Sequence, residues 1–168
     1  GKTMNAGQIC LAPDYLMVPE EKLNEVIEAA QKAVAEMYPS ILDNPSYTSV
    51  INERHFQRLS SYLEEAQERG QKIIPINPAN EDFSKQEGTL KIPPTLIPEP
   101  AEDLKVLQDE LFGPLLPIRT YKTFEETIDY INSKPRPLAA YYFGEDASEE
   151  KAFTSRTTSG GVCINDVI

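Results

Sequence analysis

Two side chains one hundred positions apart carry most of the chemistry this sequence could do, the thiol of Cys10 and the carboxylate of Glu110. Cys10 stands in Asn5-Ala6-Gly7-Gln8-Ile9-Cys10-Leu11-Ala12-Pro13-Asp14, a run of small residues that ends on a proline. Ala6 and Gly7 let the backbone turn tightly and approach another group closely. Pro13 has no amide hydrogen to donate, so it marks where the turn meets a strand. A thiol in such a turn, with backbone N–H groups beside it, is a nucleophile next to its own oxyanion site. The plain alternative is a small apolar core residue, which is how most free cysteines serve. Glu110 is followed by Phe112, Gly113 and Pro114. A carboxylate can accept from both hydroxyls of a sugar diol, and an aromatic ring beside it can pack on a flat heterocycle. Its plain alternative is an exposed acid in the pair Asp109-Glu110. The single histidine, His55, would have to be the base of a thiol hydrolase, and nothing in the sequence sets it beside Cys10.

The elements that must position these groups alternate between strands and helices. Residues 15–18 read as a strand directly after the cysteine turn, and residues 1–7 as the last turn of a helix. Glu20 and Glu21 open a helix whose apolar face is Leu23, Val26, Ile27, Ala30, Val34 and Met37, stopping at Pro39. A loop follows over 40–49. Asn52 is a good N-cap and Gly70 a good terminator for a second helix, with Phe56, Leu59, Leu63 and Ala66 on its buried side. His55 and Arg58 sit one turn apart near its start, and His55 reads most simply as a solvated helix residue. Strands are predicted at 72–76, 92–98 and 115–121, with an exposed loop over 77–88. Thr123 and Glu126 fit a capping box ahead of a helix carrying Phe124, Ile128 and Ile131. The run 138–143 is nearly all apolar, as in a strand buried on both faces. A short helix at 148–155 and a strand at 161–165 finish the chain, with Cys163 read as a core residue of that strand. This alternation predicts an α/β fold with a mainly parallel sheet flanked by helices, in a single domain over 1–168.

Composition narrows the function. The 168 residues are enough for one sizeable core. The net charge of −11 excludes a basic nucleic-acid surface and favours solubility. No apolar run approaches bilayer length, and the first residues show no basic-then-apolar signal, so no membrane association is expected. Two distant cysteines make neither a disulfide framework nor a zinc spacing, and they fit reduced thiols in a cytoplasmic protein.

Three stretches, in order, resemble a known family. Asn-Ala-Gly-Gln-x-Cys-x-Ala-Pro-Asp-Tyr at 5–15 is similar to the nucleophile segment of the aldehyde dehydrogenase superfamily. Glu110-Leu111-Phe112-Gly113-Pro114 resembles its Glu-x-Phe-Gly-Pro motif, and Ser159-Gly160-Gly161-Val162-Cys163-Ile164-Asn165 its Ser-Gly-Gly-Val-x-x-Asn segment. Residues 131–139 resemble the class-3-like branch, which includes coniferyl aldehyde dehydrogenases. The resemblance runs through nearly the whole chain.

The resemblance implies oxidation of an aldehyde to a carboxylic acid through a thiohemiacetal and then a thioester on Cys10. It implies NAD or NADP as hydride acceptor, with Glu110 on the nicotinamide ribose and Phe112 flanking the ring. Cofactor contacts also occur in the His55 and Arg58 region of related enzymes. The full-length protein would be a homodimer or homotetramer. No residue here matches the family's general-base glutamate or oxyanion asparagine, and no Gly-x-Gly-x-x-Gly unit appears, so the dinucleotide-binding domain is expected to be absent from this stretch. The 168 residues therefore resemble a partial catalytic domain, inactive alone. The competing expectation is a non-catalytic α/β module for oligomer contacts.

Overall fold

The computed structural model describes all residues, 1–168, and divides into two compact units, Lys2–Thr120 and Tyr121–Ile168, the second joined by Gly1. In the first unit a four-stranded sheet runs in the order β1 (Leu16–Pro19), β4 (Leu115–Tyr121), β3 (Thr95–Pro98), β2 (Ile74–Pro75). The central pair is parallel, with Thr95 opposite Leu115 and Pro98 opposite Ile118, and β2 lies antiparallel on the edge. The third strand is buried along its whole length because helices cover both faces. Leu96 and Ile118 face one side, where Ile27 and Val34 of α1 (Leu23–Met37) pack on them. Ile97 and Leu115 face the other, against Leu59, Tyr62 and Ala66 of α2 (Glu53–Glu68). The twofold alternation of the strand thus divides the core into two layers. A one-turn helix, α3 (Lys105–Gln108), adds Val106 to the α2 layer.

Local chemistry explains the boundaries. The Asn52 side chain caps α2 by accepting from the His55 amide at 3.0 Å. Gly70 ends the helix at φ +70, its amide donating to the Gln67 carbonyl. The first helix opens with a 3-10 turn over Glu20–Lys22 before the regular α turns begin at Leu23. Lys91 is buried, with Nζ donating to the carbonyls of Ile41, Leu42 and Asn44 at 2.7–2.9 Å, and it pins the 40–49 loop.

The second unit places α4 (Phe124–Ser133), β5 (Ala139–Tyr142), α5 (Ala147–Arg156) and β6 (Gly161–Ile164) in a parallel β-α-β crossover. Ile128, Tyr142 and Phe153 form its core. The capping box expected at Thr123 is not built: the Thr123 side chain makes no cap bond, and Glu126 accepts from the Lys122 amide and the Thr123 hydroxyl in place of the Thr123 amide. Residues 138–143 differ from the two-sided reading: Leu138 and Phe143 are 54% and 60% exposed, and only Tyr142 of the strand is buried. Here the apolar run outlasts the single helical layer that covers it. Cys163 is half-buried and lies opposite Tyr141. No helix of the chain is long and apolar enough to cross a membrane.

Candidate active site

The Cys10 segment does not enter as the end of a helix. Asn5, Ala6 and Gly7 take φ of 50, 53 and 72, so three consecutive residues turn left-handed. Such a conformation costs non-glycine residues about 1–2 kcal/mol each, and it persists only where surrounding contacts over-determine it. Those contacts are present. Ala6 is buried against Ile41 and Tyr47, and its amide donates to the Thr3 carbonyl at 3.0 Å. The Gln8 side chain donates to the carbonyls of Asn5 and Ser49 and accepts from the Ile51 amide at 2.8 Å. A tight turn then closes from the Ala12 amide to the Ile9 carbonyl, with Cys10 inside it. Cys10 is an exposed residue. Its backbone N–H donates to no acceptor in the chain.

Two tethers bind this turn to the Glu110 segment. Upstream of Cys10, the backbone of Gly7 lies against that of Gly113. A Cβ on Gly7 would fall inside 3.0 Å of the Gly113 carbonyl oxygen. Downstream, Asp14 Oδ1 accepts from the Leu111 amide at 3.0 Å. Cys10 therefore lies between two points that touch residues 111–113. The two residues singled out for chemistry, distant in the chain, are brought to neighbouring segments of one unit.

The Glu110 segment is held from its other side by α2. Arg58 Nη2 donates to the Leu111 carbonyl at 2.6 Å, and Nη1 lies 3.5 Å from the Glu110 carbonyl. The same guanidinium stacks over the Tyr62 ring at 5.3 Å, and the Tyr62 hydroxyl donates to Asp109 at 2.7 Å. Leu111 is fully buried, whereas Glu110 is exposed and its carboxylate accepts no hydrogen bond from the chain. Phe112 is turned outward at φ 48 and is 40% exposed. His55 is half-buried, its Nδ1 accepting from Arg58 Nε at 3.4 Å, so it is not the fully solvated residue the sequence predicts.

Charge around the turn is unbalanced by burial. Lys2 Nζ is shielded from solvent and finds no hydrogen-bond acceptor, its nearest anionic oxygen being Asp14 Oδ1 at 4.0 Å. Burial lowers the Lys2 ammonium to about 8, with Asp14 opposing the shift. Burial also raises the Asp14 carboxyl, and the Glu110 charge adds to the rise, while Lys2, the Leu111 amide and Arg58 oppose it. Sequence reasoning singled out neither Lys2 nor Asp14. Asp14 belongs to the motif around Cys10, but its tie to Leu111 spans 97 positions and depends on tertiary packing.

Residues 1–168 match a family model described as the aldehyde dehydrogenase family. The chain is 53% identical over 168 residues to a probable coniferyl aldehyde dehydrogenase of Caulobacter vibrioides and 56% identical over 167 residues to a coniferyl aldehyde dehydrogenase of a Pseudomonas species. It spans about a third of their length, 34% of each, while they cover 100% and 99% of the chain. Among solved structures, the substrate-bound state of Staphylococcus aureus AldH superposes with a TM-score of 0.88 at 34% identity, covering 99% of this chain and 35% of that one. A betaine aldehyde dehydrogenase point mutant from the same organism, solved with NAD+, gives 0.83 at 25% identity over 100% of this chain and 34% of that one.

Proposed function

The chain belongs to the aldehyde dehydrogenase family, and from that premise we propose that the protein carrying it oxidises an aldehyde to a carboxylic acid, with Cys10 as the nucleophile and Glu110 and Phe112 as cofactor contacts. The observation that carries this reading is the pair of tethers, Gly7 on Gly113 and Asp14 on Leu111, with the exposed residue Cys10 between them. The Cys10 thiolate adds to the aldehyde carbon, and the resulting oxyanion is met by the Cys10 backbone N–H. Departure of hydride leaves a thioester on the sulfur. Water then attacks its carbonyl, releasing the acid and returning the thiol. The general base for that water lies outside these residues.

The site suits a dinucleotide on the chemistry of its donor set. Both oxygens of Glu110 are open to a vicinal diol, and the outward Phe112 ring offers a face to a flat ring. NAD or NADP, when bound, supplies the hydride acceptor. The branch resemblance and the two relatives above 50% identity favour an aromatic, coniferyl-type aldehyde. Two free cysteines accord with a reducing, cytoplasmic setting. The complete protein is a homodimer or homotetramer in this reading, with residues 1–168 as part of its catalytic domain.

Steady-state oxidation of coniferyl aldehyde by the intact enzyme tests the assignment. Glu110→Gln, which keeps the shape but loses the charge, is expected to raise the KM for NAD(P) about 10- to 100-fold, from loss of a charge-assisted contact of roughly 1.5–3 kcal/mol. An unchanged cofactor KM would remove Glu110 from the site. The 168-residue chain assayed alone is expected to show no NAD(P)-dependent turnover of any aldehyde, and sustained turnover would contradict the proposed division of labour.

A further inference from the structure

We propose that Lys2 and Asp14 act as a positioning pair that fixes the peptide unit between Glu110 and Leu111, and with it the root of the Glu110 side chain, against the Cys10 turn. This rests on the reading of Cys10 and Glu110 given above. That single peptide is gripped on opposite edges by groups of opposite charge. Its carbonyl faces Arg58 Nη1 at 3.5 Å, and its N–H donates to Asp14 Oδ1 at 3.0 Å. The next carbonyl, of Leu111, takes the shorter bond from Arg58 at 2.6 Å. With this peptide plane held at both edges, the backbone on the C-terminal side of Glu110 is fixed.

Asp14 can do this as an anion only if its charge is compensated. It is partly buried, and Glu110 pushes its carboxyl further up. Lys2 supplies the compensation from 4.0 Å, with its side chain only 11% exposed. A shielded ammonium with no hydrogen-bond acceptor is costly to keep, and replacing such charges by apolar groups is often neutral or stabilising. Stability therefore does not explain Lys2. The Asp14 oxygen nearest to Lys2 is the one that accepts the Leu111 amide, which links Lys2 to the Glu110 segment.

The test uses the intact enzyme and two readouts taken without turnover. These are the dissociation constant for NAD(P) in the absence of aldehyde and the rate of Cys10 alkylation by iodoacetamide. Lys2→Met strands the Asp14 charge, and Asp14→Ala removes the Leu111 acceptor. Each is expected to weaken NAD(P) binding ~10-fold or more, a typical scale for breaking a coupled network, while alkylation stays within about twofold. Asn at position 14 keeps an acceptor without charge. The double variant Lys2→Met/Asp14→Asn is therefore expected to restore binding to within about threefold of wild type, whereas Lys2→Met/Asp14→Ala is not. If Lys2→Met alone does not fold, the comparison between the two double variants carries the test by itself. Unchanged cofactor binding in these variants overturns the pair. So does a loss of binding, alkylation and thermal stability in equal step, which a merely structural role would give. Cys10→Ser is run beside them. If it still oxidises aldehyde, the nucleophile reading fails and the pair's role falls with it. A failure confined to the Lys2 and Asp14 variants leaves the nucleophile reading standing.

Discussion

Replacing Cys10 by serine in the intact enzyme is expected to lower kcat for aldehyde oxidation by a factor on the order of 10³ or more, with little change in thermal stability. Sulfur is intrinsically a strong nucleophile, far better than a neutral hydroxyl oxygen. A serine hydroxyl at the same place has no base in this chain to activate it. The thioester also matters, because it yields to water more readily than the ester a serine would form. Stability should barely move, since Cys10 is exposed and surface substitutions away from special features usually stay within about 0.5 kcal/mol. Paired measurements of kcat and thermal midpoint check both halves. A variant that keeps activity within tenfold would end the nucleophile assignment. The companion residue Cys163 is half-buried, so iodoacetamide should label Cys10 well before it.

Gly7→Ala is expected to destabilise the protein by about 2–5 kcal/mol, from two separable causes. An alanine at φ +72 carries a left-handed penalty of about 1–2 kcal/mol. Its Cβ would also meet the Gly113 carbonyl oxygen and carbon, backbone atoms that cannot rotate away, adding roughly the 1–3 kcal/mol of an overpacked contact. Gly70 provides the control. It has φ +70, and a Cβ there meets nothing within 4 Å. Gly70→Ala should therefore show the conformational penalty alone. Denaturation of both variants separates the two contributions. Equal losses would mean that Gly7 and Gly113 do not touch as described. The contact also predicts that Gly7→Ala weakens cofactor binding, because it moves the Glu110 segment, whereas Gly70→Ala does not.

How much could be read from the amino acids follows the range of the forces involved. The seven residues of Leu115–Tyr121 form a strand with the predicted ends, since an apolar run beside a Gly-Pro turn leaves few alternatives. The second helix runs as its cap and terminator imply, because Asn52 and Gly70 act through local hydrogen bonds. The α/β class followed from the alternation of such elements. Left-handed backbone at Asn5 and Ala6 was not legible. Alanine carries no signal for positive φ, and the packing on Ile41 and Tyr47 that enforces it comes from distant sequence. Arg58 read, with His55, as a candidate contact to the dinucleotide, and its guanidinium is taken up by the Glu110 and Leu111 carbonyls. Nothing in the sequence marks Lys2, and only the fold shows it shielded. Cys10, Glu110 and Phe112 were singled out by the motifs that resemble the family's. The groups that aim them were not, because aiming is done by contacts across the chain.

The approach of Gly7 to Gly113 has a consequence for how such an enzyme can diversify. No side chain stands between the two loops there, so their separation is set by main-chain radii and offers nothing for substitution to adjust. The exposed side chains bordering the cysteine turn, Met4 and Ile51, are free of that constraint. Side chains at such a rim can change while the spacing of the two loops stays constant.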